Sequence, residues 1–378
     1  MIGGPLLLLI SLELAIRVIK PEQINPWRWN AARIFNPPKH SLNSPFHRLI
    51  QPPRDPDASY LDHEINTVEF STKRDFSLRY PKDFFNDSLR FKPNSDFRSI
   101  AKHDKGVLFN VRIRSDSYGR RLTINKEPQK RTKFLLTMGC SYVFGEGLND
   151  EGTMASSLAR KMPDYMVYNY GVPGASPVQM WQKASQMDLR AEIPEAKGTA
   201  IYFLYAFQLQ RLLGSMKWLR YTPLSVYGPW LAMNKNEDDV EIRGRLIDRK
   251  ILLGWYQLLD ASALAQWLNF DWFPWYTADD YRLMALTLKS LEKHLQRKLG
   301  INRLVVVLGP YLQGGIIREV PGIIAALNEE KLHSLDFTHW NLRELMLRLP
   351  NIDGNHHPSA AHNRFVTRFL APELEKEL

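Results

Sequence analysis

The stretch Phe134-Leu135-Leu136-Thr137-Met138-Gly139-Cys140-Ser141-Tyr142-Val143-Phe144-Gly145-Glu146-Gly147 decides how the rest of this 378-residue chain is read. Phe134 to Met138 is short, dense and apolar, which suits a strand buried on both faces. It runs directly into Gly-x-Ser and two more glycines. Parallel-sheet proteins place their sites beyond the carboxyl ends of strands, and Ser141 stands there. Gly139 admits a tight turn that lifts the serine clear of the sheet. A serine in this position also suits the cap of a following helix, so the motif alone leaves both roles open.

Similar runs recur downstream. Met166–Tyr170, Ala200–Tyr205 and Leu304–Leu308 are expected buried strands. Thr153–Met162 and Ala278–Leu299 are expected helices, the second with Asp279 and Asp280 where a helix N-terminus favours negative charge. Doubly buried strands alternating with helices predict an α/β domain whose parallel sheet is covered on both sides. Residues 209–275 break the rhythm and hold six of the ten tryptophans: Trp218, Trp230, Trp255, Trp267, Trp272 and Trp275. A hairpin is expected within Trp230–Ile247, turning at Asn234–Asp239. Such an insertion serves as a substrate wall or lid, or as a helical cap with a core of its own.

Upstream, residues 21–60 carry Pro21, Pro26, Pro37, Pro38, Pro45, Pro52, Pro53 and Pro56, so irregular backbone is expected. His63–Phe70 and Val107–Ile113 alternate well enough for strands, and Tyr118-Gly119-Arg120 reads as a turn. The expected division is a membrane-anchor or signal-like segment at 1–20, a Pro-rich and β-rich extension at 21–130, and the α/β domain at 131–378. The apolar run Leu6–Ile19 is interrupted by Glu13 and Arg17 and falls short of the about 20 residues a spanning helix needs. A membrane-associated or exported start, hence a cell-envelope location, is the expectation for it.

Composition narrows the function. Apolar residues make up 44% of the chain, enough for a sizeable core. Net charge is +10, from 50 basic and 40 acidic residues, and suits either a solvated basic surface or anionic surroundings. The basic residues are scattered with no basic-plus-aromatic stripe, so a nucleic-acid partner is not expected. Cys140 is the sole cysteine, which excludes an intrachain disulfide and a cysteine zinc cluster.

Two further blocks carry chemistry. Tyr168-Asn169-Tyr170-Gly171-Val172-Pro173-Gly174-Ala175-Ser176 follows a strand, and a glycine there can offer a bare N–H to a developing oxyanion. It also reads as a plain Pro-Gly turn. Ile352-Asp353-Gly354-Asn355-His356-His357-Pro358 lies near the C-terminus. A serine nucleophile needs a base, an imidazole suits that role, and a nearby carboxylate can orient it.

Taken together and in this order, the three blocks resemble those of the SGNH/GDSL hydrolases. Gly139-Cys140-Ser141 resembles the Gly-Asp-Ser block, Asn169 to Ser176 the glycine block, and Asp353 to Pro358 the Asp-x-x-His-Pro block. The resemblance covers about residues 131–378. It implies a flavodoxin-like three-layer α/β/α sandwich with a central parallel sheet, preceded by the irregular, β-rich N-terminal extension. It also implies a Ser141–His–Asp353 triad with an oxyanion hole from Ser141, Gly174 and Gln208. Three departures stand out. Cys140 replaces the family's Asp. Gln208 falls near the family's Asn. His356 has the right spacing from Asp353, while His357 precedes the proline; His357 is favoured because a residue before proline is restricted. The implied activity is ester hydrolysis, on an ester (an O-acetyl group among the options) of a cell-envelope sugar or lipid. The alternatives are O-acyl transfer by the same triad and a catalytically silent glycan-binding protein. No cofactor or metal is implied.

Overall fold

The computed structural model describes residues 47–49, 74–75, 91–103, 106–221, 228–262, 276–310, 319–340 and 357–377. Its eleven strands among these residues are β1 (His47–Leu49), β2 (Arg74–Asp75), β3 (Asp96–His103), β4 (Gly106–Arg114), β5 (Lys133–Met138), β6 (Tyr165–Asn169), β7 (Lys197–Leu204), β8 (Pro229–Met233), β9 (Val240–Arg245), β10 (Leu304–Leu308) and β11 (His333–Asp336). The α-helices are α1 (Ser141–Phe144), α2 (Met154–Lys161), α3 (Pro177–Gln186), α4 (Leu189–Glu192), α5 (Gln208–Leu213), α6 (Met216–Tyr221), α7 (Lys250–Ala261), α8 (Ala278–Leu299), α9 (Val320–Glu329) and α10 (Ala360–Glu377).

The main sheet runs β1-β11-β10-β7-β5-β6, and every pairing in it is parallel. Leaving aside the added edge strand β1, the remaining five strands follow the flavodoxin-like order 2-1-3-4-5. The burial of β5 explains the layering. Phe134, Leu136 and Met138 point into one apolar cluster with Tyr202, Leu204, Val306 and residues of α3, α8 and α9. Leu135 points the other way, with Ile201, Phe203, Val305, Val307 and residues of α2 and α10. Successive side chains alternate across a strand, so an unbroken apolar run needs a helical layer on each face. The result is the expected three-layer α/β/α sandwich.

Helix ends follow local chemistry. Thr277 and Asp280 form a reciprocal capping box at the start of α8. Ser176 and Gln179 do the same for α3, with Pro177 in its first turn. The hairpin expected in the insertion is present as β8–β9, with Asn234 accepting the turn amides of Asp238 and Asp239.

The extension is joined to the sandwich more closely than a boundary at residue 130 suggests. β2, β3 and β4 form their own antiparallel sheet. Yet Phe91, Phe109, Val111 and Ile113 lie in the same buried cluster as β5 and β7. β1, from the Pro-rich stretch, extends the main sheet beside β11. Residues 1–46, the His63–Phe70 run and three of the tryptophans, Trp267, Trp272 and Trp275, lie outside the described residues. Among the described residues no helix is long and apolar enough to cross a membrane.

Candidate active site

The site lies at the carboxyl ends of β5, β6 and β7, where the strand order reverses. Ser141 follows β5 as the first residue of the one-turn helix α1. Its carbonyl accepts the amides of Gly145 and Glu146, which closes the turn on itself. At Gly139 a side chain would not fit: a Cβ there would sit 2.8 Å from Val143 Cγ2 and 3.2 Å from the Phe203 carbonyl. So the glycine lets the chain leave the sheet and the serine stand at the start of the turn, beyond the strand end.

The central contact is between Ser141 and His357. His357 Nε2 lies 2.9 Å from Ser141 Oγ, across 216 residues of chain. Both side chains are largely buried, at 4% and 9% residue exposure, so the pair interacts in a medium less polar than water. The Tyr142 ring meets the His357 ring edge-on, 5.1 Å between centres, and limits how the imidazole can rotate. Of the two histidines in the block, the structure places His357 on the serine. His356 and Asp353 lie outside the described residues.

The glycine block wraps the nucleophile turn. Asn169 ends β6; its Nδ2 donates to the Val143 carbonyl at 2.9 Å, and its Oδ1 accepts the Gly171 amide at 2.9 Å. The Val172 amide donates to the Gly139 carbonyl at 3.1 Å. Val172 to Ala175 closes a turn with Pro173 and Gly174 at its centre and Gly174 at φ +78°. This is the turn that favours proline then glycine. Neither the Ser141 amide nor the Gly174 amide donates to a protein acceptor among the described residues. Both are left for an oxygen of a bound ester.

Gln208 departs from expectation. It starts α5 and is fully buried. Its Oε1 accepts from the Tyr202 hydroxyl at 2.7 Å and its Nε2 donates to the Phe203 carbonyl at 3.3 Å. The longer amide side chain folds back on the β7–α5 turn and braces it, instead of reaching towards Ser141. Cys140 is also fully buried and packs in the cluster beneath α2 and α10, behind the serine.

One site residue was not singled out from sequence. Glu146, at 6% exposure, brings Oε2 to 3.7 Å from His357 Nε2. Its signal was its place between Gly145 and Gly147, inside the serine block itself. Among the described residues no cluster of His, Cys, Asp and Glu is arranged to hold a metal.

No family model matches the chain. No curated protein sequence matches it either. Solved structures do show a likeness. One is a lipolytic protein of the G-D-S-L family from Veillonella parvula, 14% identical, covering 65% of this chain and 100% of that one with a TM-score of 0.35. A second is a carbohydrate acetylesterase from Sinorhizobium meliloti, 11% identical, covering 65% and 100% with a TM-score of 0.36. A third is a catalytic mutant of an acetylxylan esterase from Geobacillus stearothermophilus, 12% identical, covering 67% and 96% with a TM-score of 0.37.

Proposed function

We propose that this protein is a serine esterase of the SGNH type, with Ser141 as nucleophile and His357 as its base. The observation that carries the proposal is the 2.9 Å approach of His357 Nε2 to Ser141 Oγ at the strand-order reversal of a parallel sheet. A serine hydroxyl is a weak nucleophile until a base takes its proton. His357 accepts that proton as Oγ bonds to the ester carbonyl carbon. The carbonyl oxygen gains the charge, and the amides of Ser141 and Gly174 receive it. The alcohol leaves with the proton from His357, and a second acyl acceptor releases the acyl group by the reverse steps. Glu146, beside Nε2, favours the imidazolium that forms midway. Asp353 enters as the group that orients the other ring nitrogen, by its position in the sequence block. Gln208 is left out of the oxyanion set because both ends of its amide are engaged.

The substrate class proposed is an acylated sugar or lipid of the cell envelope, O-acetyl esters included, with association to the membrane through the N-terminus. The basic charge and the aromatic insertion support this. Whether water or a sugar hydroxyl accepts the acyl group is read from products: acyl transfer requires an acceptor and yields a new ester.

The test is intact mass after treatment with a serine-directed fluorophosphonate. One adduct is expected on the wild type and none on Ser141→Ala. Ester turnover should fall by about 10³-fold or more in Ser141→Ala and in His357→Ala, as in hydrolases whose triad acts as a unit. No adduct on folded wild-type protein would overturn the proposal in favour of a silent, binding-only role.

A further inference from the structure

Aromatic rings and one arginine close the side of the site nearest the glycine turn. Arg211, on α5, is half-buried with its guanidinium near two rings: its Cζ lies 4.5 Å from the Phe207 ring centre and 4.4 Å from that of Trp218. Its Nη1 donates to the Ala175 carbonyl at 3.0 Å, one residue beyond Gly174. Trp218 itself stands against that turn, 3.7 Å from where a Cβ on Gly174 would be. On the other side, Phe207 meets Tyr142 at 5.6 Å, and Tyr142 meets His357 at 5.1 Å. The arginine is therefore one residue from an oxyanion amide and two ring contacts from the base.

Among the described residues its charge is unmatched. No carboxylate pairs with Arg211 among the described residues, and its Nε is buried without a hydrogen-bond acceptor. Holding a guanidinium half out of water with no counter-charge is unfavourable unless a ligand supplies one. Two rings lie against the guanidinium and Nη1 is engaged, which leaves the edge formed by Nε and Nη2. That edge offers two parallel N–H donors, the arrangement that meets two oxygens of one carboxylate.

We propose that Arg211 is a carboxylate subsite beside the oxyanion turn, which selects esters bearing a carboxylate near the scissile bond. Nη2 is the point of entry and Nε the second donor. The inference rests on the esterase reading for its reaction, though not for its binding. The carboxylate could belong to the acyl part or to the alcohol part of the ester, and the test separates the two.

Turnover of the full chain is compared on 4-nitrophenyl butyrate, which is neutral, 4-nitrophenyl hemiglutarate, charged on the acyl side, and 4-acetoxybenzoate, charged on the alcohol side. The ratio of kcat/KM, charged over neutral, should fall about 10- to 100-fold in Arg211→Met for one charged ester, the loss expected for a charged hydrogen-bond partner. Arg211→Lys should keep part of that ratio. The ester affected tells which side of the bond carries the carboxylate. Equal ratios in wild type and Arg211→Met on both charged esters would overturn the subsite. If the wild type turns over no ester and takes no fluorophosphonate adduct, the esterase reading has failed and the subsite is read by binding. A thermal shift with glutarate or benzoate that Arg211→Met loses would support it; no shift in the wild type would overturn it.

Discussion

His362 shows how far burial alone can move a side chain's chemistry. It sits at the start of α10, five residues beyond His357, fully buried, with neither ring nitrogen hydrogen-bonded among the described residues. Burial pushes its imidazole down from 6.5 to about 4. Above pH 6.5 the ring is neutral whether the protein is folded or not. Between 6.5 and about 4 the unfolded chain takes up a proton that the folded chain refuses, so stability falls as pH falls. The loss is about 1.4 kcal/mol per pH unit, about 3 kcal/mol over the window. His362→Leu should flatten this dependence: the difference in Tm between pH 7 and pH 4.5 should shrink relative to wild type. An unchanged difference would show that other groups carry the acid sensitivity. This contrast with His357 could not be read from sequence. Both are histidines near one helix start, and only their neighbours separate the ring that meets a serine from the ring enclosed by core.

At the scale of elements, the site depends on how closely β6 and its following turn approach α1. A Cβ at Gly171 would fall 2.8 Å from the Val143 carbonyl carbon and closer still to the Phe144 amide nitrogen. That is backbone, not a flexible side-chain tip, so one element would have to shift. Gly171→Ala should therefore lower unfolding stability by about 1–3 kcal/mol. It should also cut turnover by about 100-fold or more, since ångström displacements of a reacting group cost that much. Fluorophosphonate labelling at the wild-type rate in this variant would count against a rigid nucleophile turn. The doubly buried strands and the well-capped helices were legible because their signals are local: continuous apolar runs, and Thr277 with acids after it. β11 was not. His333–Asp336 is mostly polar, yet Ser334 and Asp336 are buried, with Asp336 accepting from Thr338. β3, with its charged residues, escaped for a related reason: it belongs to the small antiparallel sheet and carries Asp96, Arg98 and Lys102.

Across the whole molecule, one carboxylate links extension to sandwich. Asp150 Oδ2 pairs with Arg114 Nε at 2.6 Å and Oδ1 with Arg121 Nη2 at 3.0 Å; the Asp150 and Arg121 side chains are 2% and 0% exposed. Arg121 also donates to the Leu148 carbonyl and bridges to Asn169 in the backbone. Removing the charge takes the carboxylate from the buried Arg121 and the partly exposed Arg114, so Asp150→Asn should cost about 3–5 kcal/mol in denaturant unfolding. Because the two parts share one apolar cluster, the loss should appear in a single transition, reported alike by far-ultraviolet circular dichroism and tryptophan fluorescence. Two separated transitions would mean that the extension folds apart. The boundary expected at residue 130 does not divide the core, since Phe91, Phe109, Val111 and Ile113 share one apolar cluster with β5 and β7. A parallel sheet covered on both sides was legible in the chain alone, as were the serine, histidine and glycine blocks, because each is written in neighbouring residues and their periodicity; the flavodoxin-like arrangement came only as what the family resemblance implies. Only the folded molecule decided that His357 faces Ser141, that Gln208 turns inward, that Glu146 joins the pair and that Arg211 lies beside the turn with no carboxylate partner among the described residues. These outcomes rest on contacts between segments far apart in the chain, where space and desolvation choose among side chains that composition and spacing leave equivalent.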